Sequence, residues 1–209
     1  MDRLKKELQS QGFTSDALKE AMRFILNRED FTVHLQNKIL LNLSDNNFAV
    51  LPEWVGNLVK LKNLNLSDNN LTELPESIGQ LVKLTDLGLS KNNIAQLPES
   101  IGNLVKLRSL WLIDNNLTQL PESIGNLANL DELRLNYNNL TQLPESIGNL
   151  VNLNYLDLTN NSLTQLPESI GNLVNLEYLE LKHNNFTSDY KSYVRVNLQE
   201  KLRNCEIYI

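Results

Sequence analysis

The sequence predicts an α/β solenoid: a curved right-handed coil of stacked units, with a parallel concave sheet, short helical turns on the convex side and helical caps at both ends. Three observations predict it. All six prolines (Pro52, Pro75, Pro98, Pro121, Pro144 and Pro167) stand 23 residues apart. Six of the eight glycines (Gly56, Gly79, Gly102, Gly125, Gly148 and Gly171) keep the same step. Seven asparagines from Asn46 to Asn184 keep it too, as do seven leucine pairs from Leu41/Leu43 to Leu179/Leu181, so that the unit reads LxxLxLxxNxLxxLPxxIGxLxx. Self-similarity at a fixed period of this length marks an array of structural repeats.

Each part of the unit has its own element. LxxLxL alternates apolar and polar residues, the pattern of a short strand burying one face. The asparagine that follows can bond backbone groups of a turn that otherwise lack partners. Pro-Glu-Ser-Ile-Gly reads as one helical turn, with proline fixing the first backbone angle, glutamate favoured at the positive end and glycine permitting the exit. One unit cannot bury its own leucines. Units therefore stack strand on strand and are stabilised by their neighbours.

This unit resembles the leucine-rich repeat, in the 23-residue class with LPxxI found in Ras-interacting, Scribble-type and plant intracellular proteins and in bacterial ones, including those of spirochaetes and cyanobacteria. The resemblance covers residues 38–186, about seven repeats. It implies a binding scaffold and names no ligand. Residues 1–37 are expected to form a helical N-terminal cap, with Leu18, Ala21, Met22 and Ile25 at helical spacing. Residues 187–209 are expected to form a closing cap, a helix carrying Tyr190, Val194, Leu198 and Leu202 followed by a strand over Cys205–Ile209. With both caps in place the chain reads as a complete small protein of one domain.

Composition narrows the function. The chain of 209 residues is 41% hydrophobic and 21% charged, with net charge -6 and one cysteine. It lacks the basic excess that neutralises phosphates, so nucleic acid is not an expected partner. No apolar run reaches the roughly 20 residues that span a bilayer, and no signal-peptide core follows the N-terminus. A cytoplasmic monomer is the expectation, with export that uses no cleaved signal as the alternative. A lone Cys205 gives neither an internal disulfide nor a zinc cluster, and it reads as a buried structural thiol. His34 and His183 lie far apart in the chain without an adjacent nucleophile, so no catalytic residue, metal or cofactor is assigned.

Strand alternation sends the residues flanking the buried leucines out of the concave sheet. The candidate protein-binding residues on this basis are Arg108, Trp111, Ile113, Glu132, Arg134, Tyr137, Tyr155, Asp157, Tyr178, Glu180 and His183. Exposed Trp, Tyr and Arg together make up the usual binding hot spot. Repeats four to six share LTQLPESIGNL without change, while their strand centres read LWLID, LRLNY and LDLTN. Because Glu122, Glu145 and Glu168 are exposed and unneeded by the core, constancy there beside variation in the strands points to a face shaped for a ligand. Concave Glu132, Asp157, Glu177 and Glu180 outweigh Arg134 and Lys182, which favours a neutral to basic protein partner. An adhesin or effector of a bacterial pathogen acting on a host protein, and a glycan stacked on the concave aromatics, stand as alternatives. Seven strands at about 4.8 Å and about 15 Å of width give roughly 500 Å², less than the roughly 800 Å² per partner of a standard interface.

Overall fold

A computed structural model describes residues 39–209. The expected helical cap over residues 1–37 lies outside them.

The described residues build one open parallel sheet of eight three-residue strands in sequence order. They are β1 (Leu40–Asn42), β2 (Asn63–Asn65), β3 (Asp86–Gly88), β4 (Ser109–Trp111), β5 (Glu132–Arg134), β6 (Tyr155–Asp157), β7 (Tyr178–Glu180) and β8 (Glu206–Tyr208). From β1 to β7 every residue pairs with the one 23 positions on, so Leu41, Leu64, Leu87, Leu110, Leu133, Leu156 and Leu179 form one continuous column. That column is buried. Its neighbours two residues on, Leu43 through Leu181, form a second buried column, and each fully buried leucine stabilises the coil by about 1.5 to 3 kcal/mol. Opposite the sheet, five-residue 3-10 turns run from Glu53–Asn57 to Glu168–Asn172 and insert Val55, Ile78, Ile101, Ile124, Ile147 and Ile170 into the same core.

The prolines stand one place earlier than expected. Their ψ angles near 151 to 153° are extended, so each proline precedes its turn and directs the chain into it. The glycines also have a different reason to be there. A Cβ on Gly102 would stand 2.5 Å from the Ser123 carbonyl oxygen, and one on Gly125 2.5 Å from that of Ser146. The small residue is required by the close approach of the next turn, not by the exit of its own.

Asparagine side chains tie the coils together. Asn115 donates to the carbonyls of Leu89 (3.0 Å) one repeat back and Leu112 (3.3 Å) in its own repeat, and accepts from the Ile94 amide at 3.0 Å. Asn69, Asn92, Asn138, Asn161 and Asn184 repeat the pattern. Buried donors and acceptors at each turn are thereby paired. A second row joins the outer turns, with Asn129, Asn152 and Asn175 each donating at 2.7 Å to a carbonyl of the preceding repeat.

The array ends in a helix, α1 (Ser188–Tyr193), capped by the Thr187 hydroxyl, which accepts from the Tyr190 amide at 3.2 Å. A π-helical segment, Val194–Leu198, and α2 (Gln199–Lys201) continue it. Val194, Leu198, Leu202 and Cys205 turn inward and are buried against the last repeat. The Tyr190 hydroxyl accepts from the Leu166 amide at 2.7 Å, which fastens the helix to the preceding repeat. After it, β8 adds to the sheet edge, pairing Ile207 with Leu179. No described helix is long and apolar enough to cross a membrane.

Candidate functional site

Because the register is strict, the outward side chains of the sheet fall into two columns. The first runs Ser109, Glu132, Tyr155, Tyr178 and Glu206, and the second Trp111, Arg134, Asp157, Glu180 and Tyr208. Strand alternation alone decides this: the central leucine points in, so both flanking residues point out. Seven of the eleven candidate residues are accounted for on or beside these strands: Trp111, Glu132, Arg134, Tyr155, Asp157, Tyr178 and Glu180.

The other four lie at the margins. Arg108 precedes β4 and is exposed, its carbonyl accepting from the amides of Asp131 and Glu132. Ile113 follows β4 and is half-buried. Tyr137 and His183 sit in the turns after β5 and β7 with φ of 58° and 57°. That left-handed position recurs in every repeat, as Asp45, Asp68, Lys91, Asp114 and Asn160. Backbone reversal there turns Tyr137, 56% exposed, out of the strand pattern and onto the rim of the sheet.

Inside the columns the side chains already contact one another. Arg134 Nε donates to the Glu132 carboxylate, and its guanidinium lies 5.0 Å from the centre of the Tyr155 ring. Tyr155 meets Tyr178 at 6.1 Å between ring centres, tilted by 44°. Lys182 stands 4.0 Å from Glu180 and 4.7 Å above the Tyr208 ring. The Tyr208 hydroxyl donates to the Glu206 carboxylate. Asp157 accepts from the Thr159 amide at 2.9 Å, the same turn-closing bond that Asn65 makes to Ser67 at 3.0 Å. Partial burial, reinforced by Asp157, holds the Tyr155 phenol above its ordinary pKa, and the hydrogen bond to Glu206 does so for Tyr208. Both stay protonated hydroxyls; the Tyr208 proton is engaged by Glu206.

Tyr208 is the residue that sequence reasoning missed. It was visible only as part of a closing strand, and its place beside Glu180 follows from the parallel pairing of β8, where the 23-residue period no longer applies. Among the described residues, no three His, Cys, Asp or Glu side chains come together as a metal site. His183 is exposed.

The convex glutamates bear on the argument from repeat constancy. Glu122 accepts from the Ser146 amide at 3.4 Å and Glu145 from the Ser169 amide at 3.3 Å. The premise that they are unneeded therefore fails for Glu122 and Glu145, whose bonds to the next turn account for their constancy, while Glu168 begins the last such turn of the array and has no following one to cap. Variation on the sheet face then no longer stands out against it.

The chain matches the model of the leucine-rich repeat region over residues 32–113, 80–153 and 98–208, and it belongs to that family. Similar solved structures include a leucine-rich repeat protein of Leptospira interrogans, 36% identical with a TM-score of 0.73 over 80% of this chain and 41% of that one. The leucine-rich repeat ectodomain of the plant membrane receptor kinase GASSHO1/SCHENGEN3 from Arabidopsis thaliana, solved in complex with CASPARIAN STRIP INTEGRITY FACTOR 2, is 35% identical with a TM-score of 0.67 over 73% of this chain and 19% of its own. A TDR receptor is 27% identical with a TM-score of 0.71 over 86% of this chain and 32% of its own. The chain thus spans less than half the length of each of the three. None of the curated proteins compared matches it. Leucine-rich repeats are a common protein-binding scaffold, and proteins built from them are typically non-catalytic.

Proposed function

We propose that this chain is a non-catalytic module that binds a neutral to basic protein through its open sheet, across β4 to β8. The observation that supports this reading best is the contiguous run Trp111, Arg134, Tyr155 and Tyr178, set on neighbouring strands and rimmed by Glu132, Asp157 and Glu180. Such a run offers rigid aromatic and guanidinium surface at low entropic cost, which is what interface anchors require. The narrow sheet face implies a transient complex or one that recruits the rim, where Tyr137 and His183 stand ready.

The experiment is photo-crosslinking from position 155, with position 142 on an exposed loop as the control. It is followed by affinity measurement between the purified captured protein and three variants. Trp111→Ala and Arg134→Ala are each expected to weaken binding by about 2 kcal/mol, roughly thirtyfold. Gln142→Ala is expected to leave it unchanged. Silent Trp111→Ala and Arg134→Ala with a disruptive Gln142→Ala would reject the sheet as the binding face.

A further inference from the structure

Two cations of this face, Arg134 and Lys182, occupy related places. Arg134, the last residue of β5, reaches diagonally over Tyr155, the first residue of β6, with its guanidinium 5.0 Å from the ring centre and its Nε bonded to Glu132. Lys182, just past β7, reaches in the same direction over Tyr208 of β8 at 4.7 Å, beside Glu180. Each of these rings is thus covered by a cation that a carboxylate holds.

Between them the pattern breaks. Tyr178, the first residue of β7, is 41% exposed, and among the described residues no cation lies over its ring. The diagonal position that Arg134 fills in the preceding pair of strands is filled here by Asp157. A carboxylate stands where a guanidinium would come from. Glu180, two residues on from Tyr178 and paired across the sheet with Asp157, faces Lys182 at 4.0 Å and adds a second acid to the same pair of strands. The ring face, two carboxylates and missing cation together have the chemistry of one half of a stacked ion pair. A planar guanidinium satisfies it best, because it stacks on tyrosine and forks onto a carboxylate at once.

Resting on the protein-binding reading above, we infer that Tyr178, Asp157 and Glu180 form a subsite for an arginine side chain of the partner, stacked on the Tyr178 ring and paired with Asp157. The partner's guanidinium thereby completes a series that Arg134 and Lys182 begin within the chain itself. Binding through it weakens with salt, since the carboxylates are only half-buried.

The array supplies its own conservative variants. Asp157→Asn keeps the turn-closing acceptor, because Asn65 makes that bond in β2. Tyr178→Ser places at the first strand position the residue that Ser109 already provides in β4. Amide chemical shifts of the whole protein are followed while Nα-acetyl-arginine amide is added, with the uncharged isostere Nα-acetyl-citrulline amide as control. The expected result is saturable shifts centred on β6 and β7 with the arginine probe. Citrulline, Asp157→Asn and Tyr178→Ser should each weaken them by about three- to fivefold, the size of one exposed cation–π or ionic contact. Equal responses to arginine and citrulline, or unchanged responses in both variants, would overturn the subsite. If the arginine response is lost while Trp111→Ala still releases the captured protein, the subsite falls and the binding reading survives. If a captured protein is indifferent to Trp111→Ala and to Tyr178→Ser, the partner does not use this face and the subsite falls with the reading.

Discussion

The Glu122 carboxylate accepts a hydrogen bond from the Ser146 amide, 24 residues ahead in the next repeat. Glu53, Glu99 and Glu145 do the same for Ser77, Ser123 and Ser169. That amide is one of the donors left free at the start of a helical turn, and a negative charge there suits the turn's dipole. The bond thus crosses from one coil to the next, so each glutamate stabilises its neighbour's turn. Replacing Glu122 with alanine should lower stability to urea by about 0.5 to 1 kcal/mol, and Glu122→Gln by less, since the amide oxygen still accepts. Equal midpoints for Glu122→Ala and wild type would show the bond to be energetically idle.

Asn115 carries more. Its side chain is buried and bridges Leu89 and Ile94 of the preceding repeat to Leu112 of its own, joining two repeats through both its oxygen and its nitrogen. Asn115→Ala leaves the buried Ile94 amide without its partner, at a cost of about 1 to 3 kcal/mol, while the Leu89 and Leu112 carbonyls each keep one bond, from Asn92 and Asn138. Asn115→Asp keeps only the acceptor and should be nearly as damaging. A thermal midpoint unchanged in Asn115→Ala would mean that water replaces the side chain.

These two columns show what was legible in sequence. The asparagine ladder could be read because asparagine after an alternating strand has few other roles, and the leucine columns because burial demands them at period two. The Glu122 bond could not, because it joins residues 24 apart whose nearness depends on how far one coil advances over the last. Glycine was misassigned for the same reason: Gly125 answers to a carbonyl in another repeat. On the sheet face, alternation placed Trp111, Arg134, Tyr155 and Tyr178 correctly within the strands but failed at Tyr137 and His183, where the backbone enters the left-handed region. Tyr208 was hidden because its strand arrives through a helix and not through the repeat.

Cys205 lies under the C-terminal helix, and burial, with Glu206 adding to it, pushes its thiol up to about 12 from 9.0. A folded pKa above the unfolded one means that the protonated form stabilises the fold. That stability is fully present below about pH 9 and is lost as pH rises towards 12. Unfolding midpoints measured between pH 8 and pH 11 should therefore fall more steeply for wild type than for Cys205→Ala. Tyr155, Tyr190 and Tyr208 are also raised, so the difference between the two proteins is the quantity that isolates the thiol. A disulfide reagent at pH 8 should label Cys205 only after denaturation. Rapid labelling of the native protein would place the thiol at the surface.

Gly125 and Gly88 separate two reasons for a glycine. A Cβ on Gly125 would stand 2.5 Å from the Ser146 carbonyl oxygen and 2.7 Å from its Cβ. Both atoms belong to the start of the next turn, which the Glu122 bond and the Ile147 side chain in the core hold in place. Neither can rotate away, so Gly125→Ala must push two coils apart, at a cost of about 3 kcal/mol. On Gly88 the new atom would meet the Asn65 carboxamide oxygen at 2.9 Å and the Ser67 hydroxyl at 3.2 Å, both ends of side chains on the open face. Asn65 gives up at most its bond to the Ser67 amide, worth about 1 kcal/mol, and alanine recovers part of that by restricting the unfolded chain. Trp111 and Arg134 occupy the same column, so the backbone there accepts a side chain. Gly88→Ala should thus stay within about 1 kcal/mol of wild type in urea unfolding, while Gly125→Ala falls well below it. Similar losses in both would show that strand or turn conformation, and not the approach of the neighbouring coil, decides where this array needs glycine.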